Sequence, residues 1–151
     1  MAGKKTTVSR SAAAVKTAVK SGSSKVKAEA RFALLLCENS AWKAYADSPE
    51  LWELDAVKLP CSGKIEVGLI LKLLEKGNAG VLVLGCPKDN CTYIRGNYRA
   101  EKRIRAAKAA VREAGLDENR LRFDFVSSLD GRALRDVVKD FKGYLNDHSR
   151  S

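Results

Sequence analysis

Four cysteines, Cys37, Cys61, Cys86 and Cys91, are the residues of this chain best suited to chemistry. The one histidine, His148, sits among Asn146, Asp147, Ser149 and Arg150, so it is expected in solvent and histidine-based catalysis has little to work with. In an intracellular chain, four thiols are metal ligands or redox groups more often than structural disulfides. Thiolates converging in a dry site suit an iron–sulfur cluster or a tetrahedral zinc. The C-x4-C spacing of Cys86 and Cys91 matches the first spacing of plant-type ferredoxins, a weak signal alone. Structural zinc usually uses two tight pairs, and here only one pair is close. A redox-active thiol pair, Cys86 with Cys91, and four inert buried side chains are the remaining readings.

The elements that must position these thiols read as an alternation of strands and helices. Phe32–Leu36 is an apolar run ending at Cys37, the pattern of a buried strand, and Glu38 to Ala46 reads as a short helix stopped near Ser48 and Pro49. Leu54–Leu59 reads as a second strand, running into Pro60 and Cys61. Ile65 to Lys76 has an amphipathic pattern, with Gly77 placed to end the helix. Gly80–Leu84 is apolar throughout and runs into Gly85 and Cys86, as a central strand covered on both faces does. Asn97 to Ala114 predicts a long helix with Ala100, Ile104, Ala107, Val111 and Ala114 inward and Arg99, Lys102, Arg103, Arg105, Lys108 and Arg112 outward. Phe123–Val126 is the fourth strand, and Asp130 to Asn146 the last helix, with Leu134, Val137, Val138, Phe141, Tyr144 and Leu145 as its buried stripe.

Such an order predicts an α/β fold: a small four-stranded parallel sheet with helices on both faces, Rossmann- or flavodoxin-like. Cys37, Cys61 and Cys86 each follow a predicted strand, and Cys91 lies in the next loop. The carboxyl ends of parallel strands share one edge, and that edge holds the ligand site. Thiols scattered along the sequence are thereby expected to meet. Lys64, Lys88, Arg95 and Arg99 lie near them in sequence, either to offset the charge of a thiolate-ligated group or simply as solvated surface.

The 151 residues are 45% apolar, which supports one domain, and carry a net charge of +10. Residues 1–31 hold eight Lys or Arg against one acid, Glu29, so much of the excess is local. Residues 1–29 read as a basic, low-complexity, extended N-terminal arm that cannot bury enough surface to order itself, and residues 147–151 as a polar tail. The arm also resembles an organellar transit peptide in being basic, rich in hydroxyls and poor in acids, but the favoured role is a tether for a partner protein. Nucleic-acid binding through the arm and the basic helix face is disfavoured, because aromatic residues are not interleaved with the basic ones. No apolar run is long enough to span a bilayer, so no membrane insertion is expected.

The segment Cys61–Glu66, C-S-G-K-I-E, and the stretch Gly80 to Asn97, G-V-L-V-L-G-C-P-K-D-N-C-T-Y-I-R-G-N, carry a resemblance. The first is similar to C-S-G-R-[VI]-[DE] and the second to G-V-L-V-x-G-C-H-P-G-D-C-H-Y-x-x-G-N of the delta subunit of methyl-viologen-reducing hydrogenases, the hydrogenase iron–sulfur subunit family. Arg99, Lys102, Arg103, Gly115, Leu116, Arg120, Ser127 and Gly131 also fit its pattern. One departure stands out: family members usually open with C-x-x-C, whereas here Ser40 takes the second position. The resemblance implies that residues 30–146 form an iron–sulfur domain with one 2Fe–2S cluster, Cys37, Cys61, Cys86 and Cys91 being its cofactor-binding and metal ligands. It further implies a cytoplasmic, non-catalytic electron-transfer subunit of a hetero-oligomeric complex in anaerobic metabolism. That subunit would relay electrons between an electron-donor module (hydrogenase, formate dehydrogenase or NADH oxidase type) and a heterodisulfide-reductase-A-like flavoprotein, which often performs flavin-based electron bifurcation.

Overall fold

Alternate residues of the central strands belong to opposite cores, and this dictates the architecture. The computed structural model describes residues 29–148. They form β1 (Phe32–Cys37), α1 (Ala41–Ala46), β2 (Ala56–Leu59), α2 (Val67–Glu75), β3 (Gly80–Gly85), α3 (Gly96–Glu113), β4 (Leu121–Phe125) and α4 (Gly131–His148), with single 3-10 turns at Pro49–Leu51, Ser62–Lys64 and Glu118–Arg120. All strand pairs are parallel, in the order β2-β1-β3-β4. The sheet has the flavodoxin-like reversal: the chain steps from β1 outward to β2, then crosses back to β3 on the other side of β1.

Every residue of β1 and β3 is buried. Ala33, Leu35, Val81 and Val83 pack with Ile70 of α2 and with Ala100, Ile104, Ala107 and Val111 of α3. Phe32, Leu34, Leu36, Leu82 and Leu84 pack with Ala41, Ala44 and Tyr45 of α1 and with Leu134, Val138, Phe141 and Leu145 of α4. The predicted α/β sheet with helices on both faces is therefore what the chain forms. Phe141 meets Phe32 edge to face at 5.3 Å, in space kept free by Gly80, where a Cβ would lie 2.8 Å from the Phe141 ring. Burying side chains of this size stabilises the domain by roughly 1.5–3 kcal/mol each.

Several expected boundaries move, each for a local reason. Helix α1 begins at Ala41 rather than Glu38, because Glu38–Ser40 are a turn closed by the Ser40 N–H on the Cys37 carbonyl at 3.2 Å. Helix α2 begins at Val67: Ile65 is fully buried but extended, ending the Ser62–Lys64 turn instead of opening the helix. Strand β2 starts at Ala56, after Leu54 has turned into the α1 side of the core. Strand β4 starts earlier than expected, at Leu121, which pairs with Val81, and Arg122 and Asp124 form an ion pair on its α4 side. Ala114 is exposed as the C-cap of α3. Gly115 follows at φ +76°, and the N–H groups of Gly115 and Leu116 return to the carbonyls of Arg112 and Val111. Helix α4 runs on to His148, whose exposed ring stacks on Tyr144 at 4.1 Å. The first described residues are fastened to α4 by the Lys142–Glu29 ion pair and by the Ala30 N–H on Asn146 Oδ1. The expected basic arm, except Glu29, and residues 149–151 of the tail lie outside the described residues.

Candidate functional site

The switch point of the sheet lies between the carboxyl ends of β1 and β3. Cys37 ends β1, Cys86 follows β3, and their Sγ atoms stand 3.6 Å apart. Cys61 follows β2 and starts the Ser62–Lys64 turn, where the Gly63 N–H points at its sulfur from 3.4 Å. Cys91 closes the loop after β3. A Cβ on Gly96 would lie 2.3 Å from Cys61 Sγ and 3.2 Å from Cys91 Sγ, so these two sulfurs flank the first residue of α3. The Cys61 thiol also feels those of Cys91 and Cys37, and the Cys91 thiol that of Cys86. All four thiols are free and meet at one edge. Cys37, Cys61 and Cys86 are buried and Cys91 is partly exposed.

Two glycines make this approach possible. A Cβ on Gly63 would lie 2.7 Å from both the Cα and the carbonyl oxygen of Gly96, so the turn after β2 rests directly on the start of α3. Arg103, about two turns into α3, holds it there by donating from Nη1 to the carbonyls of Gly63 and Ile65, both at 2.6 Å. The amphipathic pattern puts Arg103 on the outward basic face, whereas its side chain is half-buried and clamps the Cys61 turn. Asn97 does the same for Cys86. It is fully buried, and its Nδ2 donates to the carbonyls of Cys86 at 3.1 Å and Pro87 at 2.9 Å. The loop between Cys86 and Cys91 is tied to α3 a second time by the Tyr98 hydroxyl on Asp89 Oδ1 at 3.0 Å.

The sequence predicted basic side chains near the thiols. Lys88 and Arg95 are exposed and Lys64 and Arg99 reach the surface, while Lys88 lies over the Phe125 ring at 5.4 Å. Closer polarisation comes from backbone N–H groups. Helix α3 has no side-chain cap, and the backbone N–H groups of Asn97, Tyr93 and Gly96 favour the thiolate of Cys91. Burial pushes the Cys91 thiol up, but these donors and the Cys86 thiol outweigh it and hold Cys91 below the ordinary thiol value. Burial pushes Cys61 up, and it pushes Cys86 up to about 11. In metal-free reduced protein near neutral pH, iodoacetamide should therefore modify Cys91 well before the other three, read by peptide mass mapping. Initial labelling at Cys86 would contradict this ordering.

Between Cys91 and α3 the backbone turns sharply. Arg95 N–H donates to the Tyr93 carbonyl at 2.7 Å, a three-residue turn with Ile94 at its centre and φ +64°. A β-branched residue in that region is strained, and here its side chain is also 81% exposed. Tyr93 beside it and Leu129, in the loop after β4, are exposed as well. Among the described residues, no three or more His, Cys, Asp or Glu side chains are grouped to hold a metal ion.

The segment that builds this edge is similar in sequence to known proteins. The family described as methyl-viologen-reducing hydrogenase, delta subunit, matches residues 33–147, which takes in all four cysteines and both clamps. The chain belongs to this family. Among relatives of the delta-subunit family, it is 34% identical over 85 residues to the D-type iron-sulfur subunit of the F420-non-reducing hydrogenase of Archaeoglobus profundus, covering 56% of this chain and 62% of the relative. It is 38% identical over 84 residues to the D-type iron-sulfur subunit of the vhu F420-non-reducing hydrogenase of Methanocaldococcus jannaschii, covering 56% and 63%. It is also 38% identical over 85 residues to the A-type subunit of the ferredoxin:CoB-CoM heterodisulfide reductase of Methanosarcina mazei, covering 56% of this chain but only 11% of that much longer one. The match thus spans less than two thirds of each of these relatives. Among the described residues no helix is long and apolar enough to cross a membrane.

Proposed function

We propose that this chain is an electron-relay subunit holding one 2Fe–2S cluster on Cys37, Cys61, Cys86 and Cys91. The observation that carries the reading is two pairs of free thiols at one sheet edge, Cys37 with Cys86 and Cys61 with Cys91 across Gly96. Their arrangement suits two irons better than one ion. Two thiolates on a tetrahedral metal with bonds of ~2.3 Å stand roughly 3.8 Å apart, close to the 3.6 Å of Cys37 and Cys86. Cys61 and Cys91 form the second pair across Gly96. Backbone N–H groups directed at Cys61 and Cys91 suit thiolate sulfurs carrying shared negative charge.

Such a group supplies one-electron chemistry and leaves the protein's bonds unchanged. This chain's residues then serve to bind it, to keep water from its inner sulfurs, and to leave the Cys91 side near the surface for electron entry or exit. The relatives set the context: two carry names of hydrogenase iron-sulfur subunits, and one carries the matched segment inside a much longer heterodisulfide reductase chain. A module that is separate in some proteins and fused to another belongs beside it. The partners proposed are therefore an electron-donor module (hydrogenase, formate dehydrogenase or NADH oxidase type) and a heterodisulfide-reductase-A-like flavoprotein of the kind that often bifurcates electrons, in a cytoplasmic multi-subunit complex, with residues 30–146 as the relay domain and the basic arm as its tether. A thiol–disulfide role for Cys86 and Cys91 is the weaker reading, since buried Cys86, with its raised pKa, is a poor nucleophile.

Purification under anaerobic conditions, followed by iron and acid-labile sulfide analysis, tests the reading. About two irons and two sulfides per chain are expected. Intact protein containing zinc, or no metal at all, would overturn it.

A further inference from the structure

The described core contains four buried polar side chains, Ser40, Ser48, Ser62 and Asn97. Ser48 donates to the Ala44 carbonyl at 2.9 Å, and Asn97 is fully engaged as described. The Oγ atoms of Ser40 and Ser62 have no hydrogen-bond partner, although the residues are 2% and 0% exposed. Leaving a buried hydroxyl unpaired costs on the order of 1–3 kcal/mol, so two at one site call for a physical reason.

Both flank the thiols. Ser40 lies three residues after Cys37, and its hydroxyl sits beside the Cys86 sulfur, short of a formed hydrogen bond. It occupies the N-cap of α1, where a serine normally accepts from the next turn, yet it makes no such bond. Its hydroxyl is thus unspent. Ser62 directly follows Cys61, and its Oγ lies 2.9 Å from where a Cβ on Gly85 would stand, under the residue that precedes Cys86. The Ser40 hydroxyl lies by the Cys86 sulfur and the Ser62 hydroxyl by Gly85, the residue before Cys86.

We propose that Ser40 and Ser62 are positioning residues that donate O–H hydrogen bonds to the sulfurs of the bound cluster and so raise its reduction potential. The inference rests on the cluster reading above and deepens it. A donor to sulfur stabilises the extra electron of the reduced state more than it stabilises the oxidised state, and in a dry site that preference is weakly screened. No atom or proton is transferred, since the only change on reduction is one electron arriving on the cluster.

Ser40→Ala and Ser62→Ala, compared with wild type as anaerobically purified full-length protein, provide the test. Alanine keeps the volume of the buried body and removes only the oxygen. Each variant is expected to keep wild-type iron and sulfide, and to show a midpoint potential, read by EPR-monitored titration, shifted downward. A shift of about tenfold in the electron-transfer equilibrium is about 59 mV for one electron. In metal-free protein both variants should be as stable as wild type or more so, because an orphaned hydroxyl has gone. Full iron with unchanged potentials in both variants would overturn the proposal, as would loss of iron from the variants alone. A wild type without iron would instead remove the underlying cluster reading.

Discussion

Gly96→Ala should empty the four-thiol edge while leaving the fold in place. The added Cβ would sit 2.3 Å from Cys61 Sγ and 3.2 Å from Cys91 Sγ, the first a separation no real side chain tolerates. A cysteine side chain is short and has one torsion with which to escape, and Cys61 is buried. The helix cannot simply back away, because Gly96 already touches Gly63 and Arg103 fastens that turn to the same helix. Alanine is a better helix former than glycine by about 1 kcal/mol, so α3 itself is not weakened. The expected result is near-native circular dichroism with iron reduced to below about a tenth of wild type, in line with the large cost of misplacing a metal ligand. Wild-type iron and sulfide in this variant would show that Cys61 and Cys91 do not share one group across Gly96.

Asn97→Asp should be the most destabilising single-atom change near the site. The substitution exchanges a donating Nδ2 for an oxygen facing the carbonyls of Cys86 and Pro87, in a fully buried position. A buried carboxylate that faces two carbonyls and keeps only the Tyr98 N–H at 2.9 Å as a donor costs about 3–5 kcal/mol, against about 1–3 kcal/mol for Asn97→Ala, which leaves the carbonyls and that N–H without their partner. Urea unfolding of metal-free protein with an unchanged slope would read both values. The pH dependence distinguishes them. The new carboxyl has its folded pKa raised by burial, so its cost is full above that pKa and disappears as pH falls towards the unfolded value of about 3.9. Asn97→Asp should therefore regain stability relative to wild type on acidification, and Asn97→Ala should not. Equal stabilities of Asn97→Asp and wild type at neutral pH would mean that the Cys86 loop does not depend on this side chain.

The thiols and the scaffold were legible for one reason, and their supports were missed for another. Phe32–Cys37 and Gly80–Gly85 are apolar throughout because both faces of β1 and β3 are covered, so a cysteine closing or following each run is easily placed on the ligand-binding edge. Arg103 looks like any other base on the polar face of a helix, and only the fold reveals the two carbonyls beneath it. The spacing of Ile65 from Leu69 and Leu73 reads as helix, yet Leu69 is 41% exposed and Ile65 belongs to the turn that carries Cys61 forward. Gly63 and Gly96 are silent in a pattern of hydrophobicity, since their contribution is the absence of a side chain. Ser40 showed in the sequence only as a departure from C-x-x-C, and its burial without a partner is a fact of three-dimensional packing.

Because the two central strands feed both cores, neither layer can open without the other. Cys37 ends one of those strands and Cys86 directly follows the other, so both sulfurs are carried by the best-buried part of the sheet. Cys91 rides instead on a surface loop, which can fray locally at far smaller cost. The site is thus anchored at its back and yielding at its front.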